Sequence, residues 1–185
     1  NNSPYTKWTV NFATTIYDRL QDASVPWTIY FDPIDIIPLS LLIHFPRLLK
    51  YTTTNFDYYD SFKKAARDGT LPKYSFIETR LFIKHNDEHP PDSLFGNFFT
   101  PSNVLAGEIL INDVYNAIRT SNSTTGNNWK NTLLVITYDE HGGTYDHVQP
   151  PSAIPPYVNA PAGEMDFTFN RAGRRVPDVL ISAYI

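Results

Sequence analysis

Apolar residues recur at Phe12, Ile16 and Leu20, every fourth position, and predict one face of a helix. Ser24-Val25-Pro26 stops it, and Trp27–Phe31 follows as a strand with Trp27, Tyr30 and Phe31 as core residues. Asp32–Pro46 reads as a proline-punctuated loop with short apolar pieces, and Ile34–Leu49 as a buried or lid-like segment. Tyr59, Phe62 and Ala66 share the face of a second helix, closed near Asp68-Gly69 by glycine. Tyr74–Ile77 is the next strand. Asp87–Asn103 is a long loop in which Phe95, Phe98 and Phe99 either pack onto the body or line an entrance. Ile111, Val114, Tyr115 and Ile118 mark a helix over Glu108–Arg119. Thr132–Tyr138 is a nearly unbroken apolar run, which fits a strand covered on both faces in a parallel sheet. Gly142–Arg175 is mostly loop, and Val176–Ser182 is a last strand with Pro177 near its start. Alternating helices and strands make the chain α/β.

Composition narrows the class. Of 185 residues, 42% are hydrophobic and 18% charged, a globular balance, and an aromatic share of 15% suits a cleft or surface that holds apolar material. The formal charge of −4 comes with no Lys/Arg cluster, which argues against nucleic acid as a partner. There is no cysteine, so a disulfide framework and a thiolate metal site are excluded. No apolar run is long enough to span a bilayer. Asn122-Ser-Thr is a glycosylation sequon in a polar stretch, and Asn1-Asn2-Ser3 is a second, weakened by Pro4; they lean toward a secreted or cell-wall protein.

The chemistry concentrates in Thr137–His147. Asp139, Glu140, His141, Asp146 and His147 follow directly on the most apolar strand. Ligands of open α/β sheets bind beyond the carboxyl ends of strands. Adjacent carboxylates there repel unless a proton or a cation intervenes. Oxygen donors suit a divalent ion such as Mg²⁺, Ca²⁺ or Mn²⁺, whereas imidazole shifts the choice toward zinc or iron. Gly142 and Gly143 permit a turn that would carry His147 back toward Asp139. The competing reading is a solvated surface turn. In Asn86–Pro91 the proline pair stiffens the chain after His89, which suits an imidazole held for proton transfer or a phosphate contact.

Tyr74–Glu78, His89-Pro90-Pro91, Ala106-Gly107-Glu108, Val114–Arg119, Thr137–Val148 and Gly173–Pro177 occur in an order that resembles the phosphoesterase family of bacterial and plant non-specific phospholipases C and related acid phosphatases. The resemblance implies an alkaline-phosphatase-like α/β sandwich with a mostly parallel central sheet, incomplete here at its N-terminal side. It implies metal-assisted phosphoester hydrolysis of a phospholipid or a small phosphomonoester, with possible peripheral membrane contact. Asp139 and Glu140 would belong to the divalent-metal and phosphate site. His89 and Glu140 would be catalytic, His89 touching the phosphoryl group or protonating the leaving oxygen. His141, Asp146 and His147 would be supporting groups, with Asp146 and His147 as a pair. The family's Glu-Asn-Arg-Ser-Phe-Asp motif has no match in the chain, nor has its Thr/Ser-x-Pro-Asn-Arg nucleophile motif. The chain therefore reads as the C-terminal part of one catalytic domain over residues 1–185, its nucleophile outside; the alternative is a non-catalytic metal- or phosphate-binding module. Glu78 fits the family pattern, or makes an ion pair with Arg80 or Arg171. Arg174 and Arg175 neutralise phosphate or pair with carboxylates. His44 reads as a core histidine, and His85 shows nothing above background.

Overall fold

Strand β1 (Trp27–Phe31) is the centre of the first unit, with a parallel neighbour on each side: β2 (Phe56–Tyr58) and β3 (Tyr74–Ile77). Ile29 stands opposite Phe56 in one pairing and Phe76 in the other. Side chains alternate across a strand. Trp27 and Ile29 accordingly bury one face against Tyr17 of helix α1 (Ile16–Asp22) and Leu48. Tyr30 buries the other against Phe62 of helix α3 (Tyr59–Asp68), ring centroids 5.5 Å apart. Helix α4 (Val104–Arg119) packs on α3 and adds Val114 and Ile118 to the core.

The computed structural model describes residues 13–81, 83–89, 103–155, 157, 159 and 161–185. Phe12, Phe82, the Asn1 sequon, and residues 90–102 with Pro90, Pro91, Phe95, Phe98 and Phe99 lie outside them. The chain divides into two units, Asn1–Thr132 with Ser182–Ile185, and Leu133–Ile181. Among the described residues, no helix is long and apolar enough to cross a membrane.

Local chemistry explains most element ends. Thr15 and Asp18 cap α1 reciprocally: the Thr15 hydroxyl accepts from the Asp18 N–H at 3.2 Å, and the Asp18 carboxylate accepts from the Thr15 N–H at 2.9 Å. Gly69, at φ 72, closes α3 in the left-handed conformation expected of Asp68-Gly69. Helix α4 starts one turn before Glu108, because the Asn103 side chain accepts from the Leu105 N–H at 2.9 Å and initiates it. The predicted loop Asp32–Pro46 contains a short helix, α2 (Leu39–Ile43), between Pro38 and Pro46.

Asp18 also accepts a hydrogen bond from the Arg47 guanidinium at 2.7 Å. Burial pushes the Asp18 carboxyl up, but the bonds from Arg47 and Thr15 outweigh it and hold the pKa at about 2. A carboxyl depressed in the folded state adds stability above its unfolded pKa and loses it as pH falls through the folded value. Asp18 should thus stabilise the fold by about 2 kcal/mol at neutral pH, a contribution lost between about pH 4 and pH 2. Arg47→Ala should move the start of acid unfolding to higher pH. Near-ultraviolet dichroism of the Tyr17–Trp27 pair, 4.8 Å apart, is the readout.

The second unit departs from expectation. Strand β4 (Leu134–Ile136) pairs antiparallel with β5 (Val179–Ile181), placing Val135 opposite Leu180, and both residues are about half exposed. Among the described residues, β4 has no parallel partner and is not covered on both faces. An unbroken apolar run reports a tendency to avoid water, not the direction of a partner. Parallel pairing needs a crossover, usually helical. Among the described residues between β4 and β5, the regular structure is a three-residue helical turn, Glu164–Asp166, and an antiparallel bridge between Ser152 and Arg171.

Candidate functional site

In the first unit, the carboxyl ends of β1 and β3 carry a hydrogen-bond network that orders the start of the segment leading to His89. Asp32, just after β1, pairs with Arg80, just after β3, at 3.0 Å. Asp35 accepts from the N–H groups of Leu81 (2.7 Å) and Ile83 (3.2 Å). Asn86 folds back on Arg80: its side chain accepts from the Arg80 N–H at 2.6 Å and its own N–H donates to the Arg80 carbonyl at 3.2 Å. The segment then reaches α4, where the Glu88 side chain fills the space a Cβ on Gly107 would need, 2.3 Å from its carboxylate. Buried Gly107 is therefore what lets Glu88 lie against the first turns of the helix. His89 follows directly and is exposed. His85 lies 3.4 Å from Asp87.

A small cleft of about 80 Å³ opens beside these residues, with Asp32, Tyr59, Glu78, Arg80, Asn86 and Asp113 on its wall. Glu78 is buried. Its carboxylate accepts from the N–H of Leu39 and, at 2.9 Å, from that of Ser40, tying α2 to the end of β3. Burial pushes its carboxyl up, against the hydrogen bonds from Ser40 and Leu39. Its partners are thus backbone groups of α2, not Arg80, which is held by Asp32. His44 behaves as a structural histidine, its ring nitrogen 2.8 Å from the Ser40 carbonyl and its edge toward Tyr17.

In the second unit, the titratable loop follows β4. The Thr137 hydroxyl donates to Asp178, just before β5, bracing the strand end across the pair. Asp139 and Glu140 come next, both exposed. Glu140 accepts from the Gly142 N–H at 2.8 Å and lies 3.4 Å from the His141 ring. Gly142 and Gly143 both take positive φ, and the Thr144 N–H and hydroxyl close the turn on the His141 carbonyl. Asp146 is gripped by both arms of Arg175, at 2.8 and 2.9 Å, and accepts from the Val148 N–H. The Arg175 guanidinium holds the Asp146 carboxyl far below the usual carboxylate range. His147, 82% exposed, stands 3.9 Å from Asp146, beyond hydrogen-bond reach. Arg175, not His147, is therefore the main partner of Asp146. Arg174 reaches the Thr144 carbonyl.

Among the described residues, no three His, Asp or Glu side chains converge on a point that could hold a metal ion. Asp139 and Glu140 offer exposed carboxylate oxygens of the kind a hard divalent cation takes, as part of a ligand set and not the whole of one.

The phosphoesterase family model matches residues 3–185. The chain belongs to the phosphoesterase family. It is 38% identical over 177 residues to non-specific phospholipase C6 of Arabidopsis thaliana, covering 92% of the chain and 31% of that protein. It is 30% identical over 191 residues to phospholipase C A of Mycobacterium tuberculosis, covering 90% of the chain and 33% of that protein. With non-hemolytic phospholipase C of Pseudomonas aeruginosa the figures are 29% over 150 residues, 76% of the chain and 19% of that protein. The chain thus spans no more than a third of the length of these curated relatives.

Asp32, Asp35, Asn86 and Gly107 are not visible as a network in the sequence. The available signal was two carboxylates closely following a strand, the same kind of signal that marks Asp139 and Glu140 after β4.

Proposed function

We propose that this chain is the C-terminal part of the catalytic domain of a phospholipase C-type phosphoester hydrolase, with an alkaline-phosphatase-like fold and a Ser or Thr nucleophile outside Asn1–Ile185. The observation that carries the reading is the family match over residues 3–185, a span that includes His89, Asp139 and Glu140. The phospholipase C relatives support a phospholipid substrate.

In this reading Asp139 and Glu140 contribute carboxylates to a divalent cation whose remaining ligands come from elsewhere in the full domain. Such a cation, when bound, supplies positive charge to the phosphoryl oxygens. Glu140 keeps one oxygen oriented through the Gly142 N–H. The glycine turn and the Asp146–Arg175 pair hold the loop around it. His89 gives a proton to the departing oxygen, a task that suits imidazole near neutral pH.

The deciding assay is hydrolysis of p-nitrophenylphosphorylcholine and p-nitrophenyl phosphate, with and without chelator, by this chain and by a protein carrying the whole domain. Chelator-sensitive hydrolysis by the longer protein alone is the expected result. Activity in the isolated chain would place the nucleophile within it, and activity in neither would point to a binding module. In the longer protein, His89→Ala should slow alkyl phosphodiesters by about a hundredfold and activated aryl esters much less. Equal losses on both would make His89 a phosphate-positioning residue.

Asn122 is exposed in the loop that follows α4. That loop is tied to the end of α3 by Asn127, whose side chain accepts from the Leu71 N–H at 2.7 Å. We infer that Asn122 is glycosylated in a secreted protein. Enzymatic deglycosylation should remove mass from the wild-type protein and none from Asn122→Gln.

A further inference from the structure

The three residues before His89 are each held by the body of the first unit. Asn86 is 6% exposed and bonded twice to the Arg80 backbone. The Asp87 side chain is 8% exposed beside His85. Glu88 then takes φ 60, a left-handed conformation that residues other than glycine seldom adopt. Strain of this kind persists where the surroundings over-determine the backbone. His89 is the first exposed residue after them.

The surroundings of Glu88 include helix α4. A Cβ at Gly107 would stand 2.3 Å from the Glu88 Oε1, 2.4 Å from its Cγ and 2.7 Å from its Cδ. These distances are well inside the roughly 3.5 Å at which such atoms make contact. Gly107 is buried within a regular helix, where alanine is favoured over glycine. Its φ is helical, so no turn requires a glycine there; what Gly107 provides is room for the Glu88 side chain.

We propose that the seating of Glu88 on Gly107 positions His89 for proton transfer. The contact fixes the backbone immediately before His89 and thereby sets the direction in which the imidazole leaves the chain. Glu88 and Gly107 touch no reacting atom and act through His89 alone. The proposal rests on the phospholipase C-type reading, which gives His89 its task.

The test uses a protein that carries the whole domain, with p-nitrophenylphosphorylcholine and an alkyl phosphodiester as substrates. Gly107→Ala should lower kcat by about tenfold or more with KM nearly unchanged, because a misplacement of about 1 Å at a proton donor costs that much. It should affect the two substrates in the same order as His89→Ala, and add no further loss in a His89→Ala background. Glu88→Gly suits the positive φ, so it should leave the melting temperature nearly unchanged while lowering kcat in the same way. Should Gly107→Ala not fold, Glu88→Gly alone and with His89→Ala carries the same comparison. A loss that multiplies with that of His89→Ala would overturn the proposal, as would full activity in Glu88→Gly. A readout without turnover is the His89 Cε1 resonance in protein made with isotope-labelled histidine, assigned by its absence from His89→Ala. It should move in Gly107→Ala and in Glu88→Gly, and an unmoved resonance would overturn the proposal. A moved resonance in a protein that hydrolyses neither substrate would uphold the positioning of His89 and remove the phospholipase reading.

Discussion

Asp139→Asn, placed in a protein that carries the whole catalytic domain, should lower phosphodiester hydrolysis by about a thousandfold and leave the melting temperature nearly unchanged. The two halves of that expectation have separate origins. Asp139 is exposed at the end of β4, so the isosteric amide disturbs little packing. Its proposed work is electrostatic: a full negative charge on an oxygen donor beside Glu140, which an amide cannot supply. Metal content measured on the same preparation should fall with activity. Normal turnover with metal still bound would remove Asp139 from the site. Loss of activity together with loss of fold would make it a structural residue.

Phe62→Ala should destabilise the fold by about 3–5 kcal/mol, the largest stability effect expected of a single truncation in the first unit. Phe62 is 1% exposed. It lies between Tyr30 on the central strand and Tyr59 one turn earlier on α3, with ring centroids 5.5 and 5.9 Å away. Removing the ring leaves a void that these neighbours cannot fill without giving up their own positions. Denaturant unfolding followed by far-ultraviolet dichroism measures the loss. A change below about 1 kcal/mol would mean that α3 is not fixed to the sheet through this side chain.

The elements legible in the sequence were those defined by local signals. Trp27–Phe31 and Tyr74–Ile77 occur as read, and Tyr59–Asp68 ends at Gly69 because glycine takes the left-handed conformation there. Strand β2 was missed because its three residues run straight into α3 with no turn between them. Helix α2 was hidden by its flanking prolines. At β4 the apolar run was visible, but its partner was decided by β5, far along the chain, through a return that is mostly loop. The candidate site divides in the same way. Asp139, Glu140 and His89 are conspicuous in the sequence by their neighbours. The hydrogen bonds that order the chain after β3 depend on side chains meeting backbone across distant elements, such as Asp35 with Leu81, and no local pattern announces such meetings. Glu78 shows the limit most clearly: its ion-pair expectation gave way to two N–H donors on a helix that had not been foreseen.

The antiparallel ladder of β4 and β5 closes a ring in the chain. Ile136 is pinned to Val179, and Thr137 is braced to Asp178, so everything between forms one closed circuit. The entropic cost of such a circuit rises only with the logarithm of its length, about 0.6 kcal/mol for each doubling. Segments inserted beyond the glycine turn and before Arg171 would therefore weigh little on stability and would leave the end of β4, with Asp139 beside it, where the ladder holds it. The length of this loop can therefore change without moving Asp139 and Glu140 at its root.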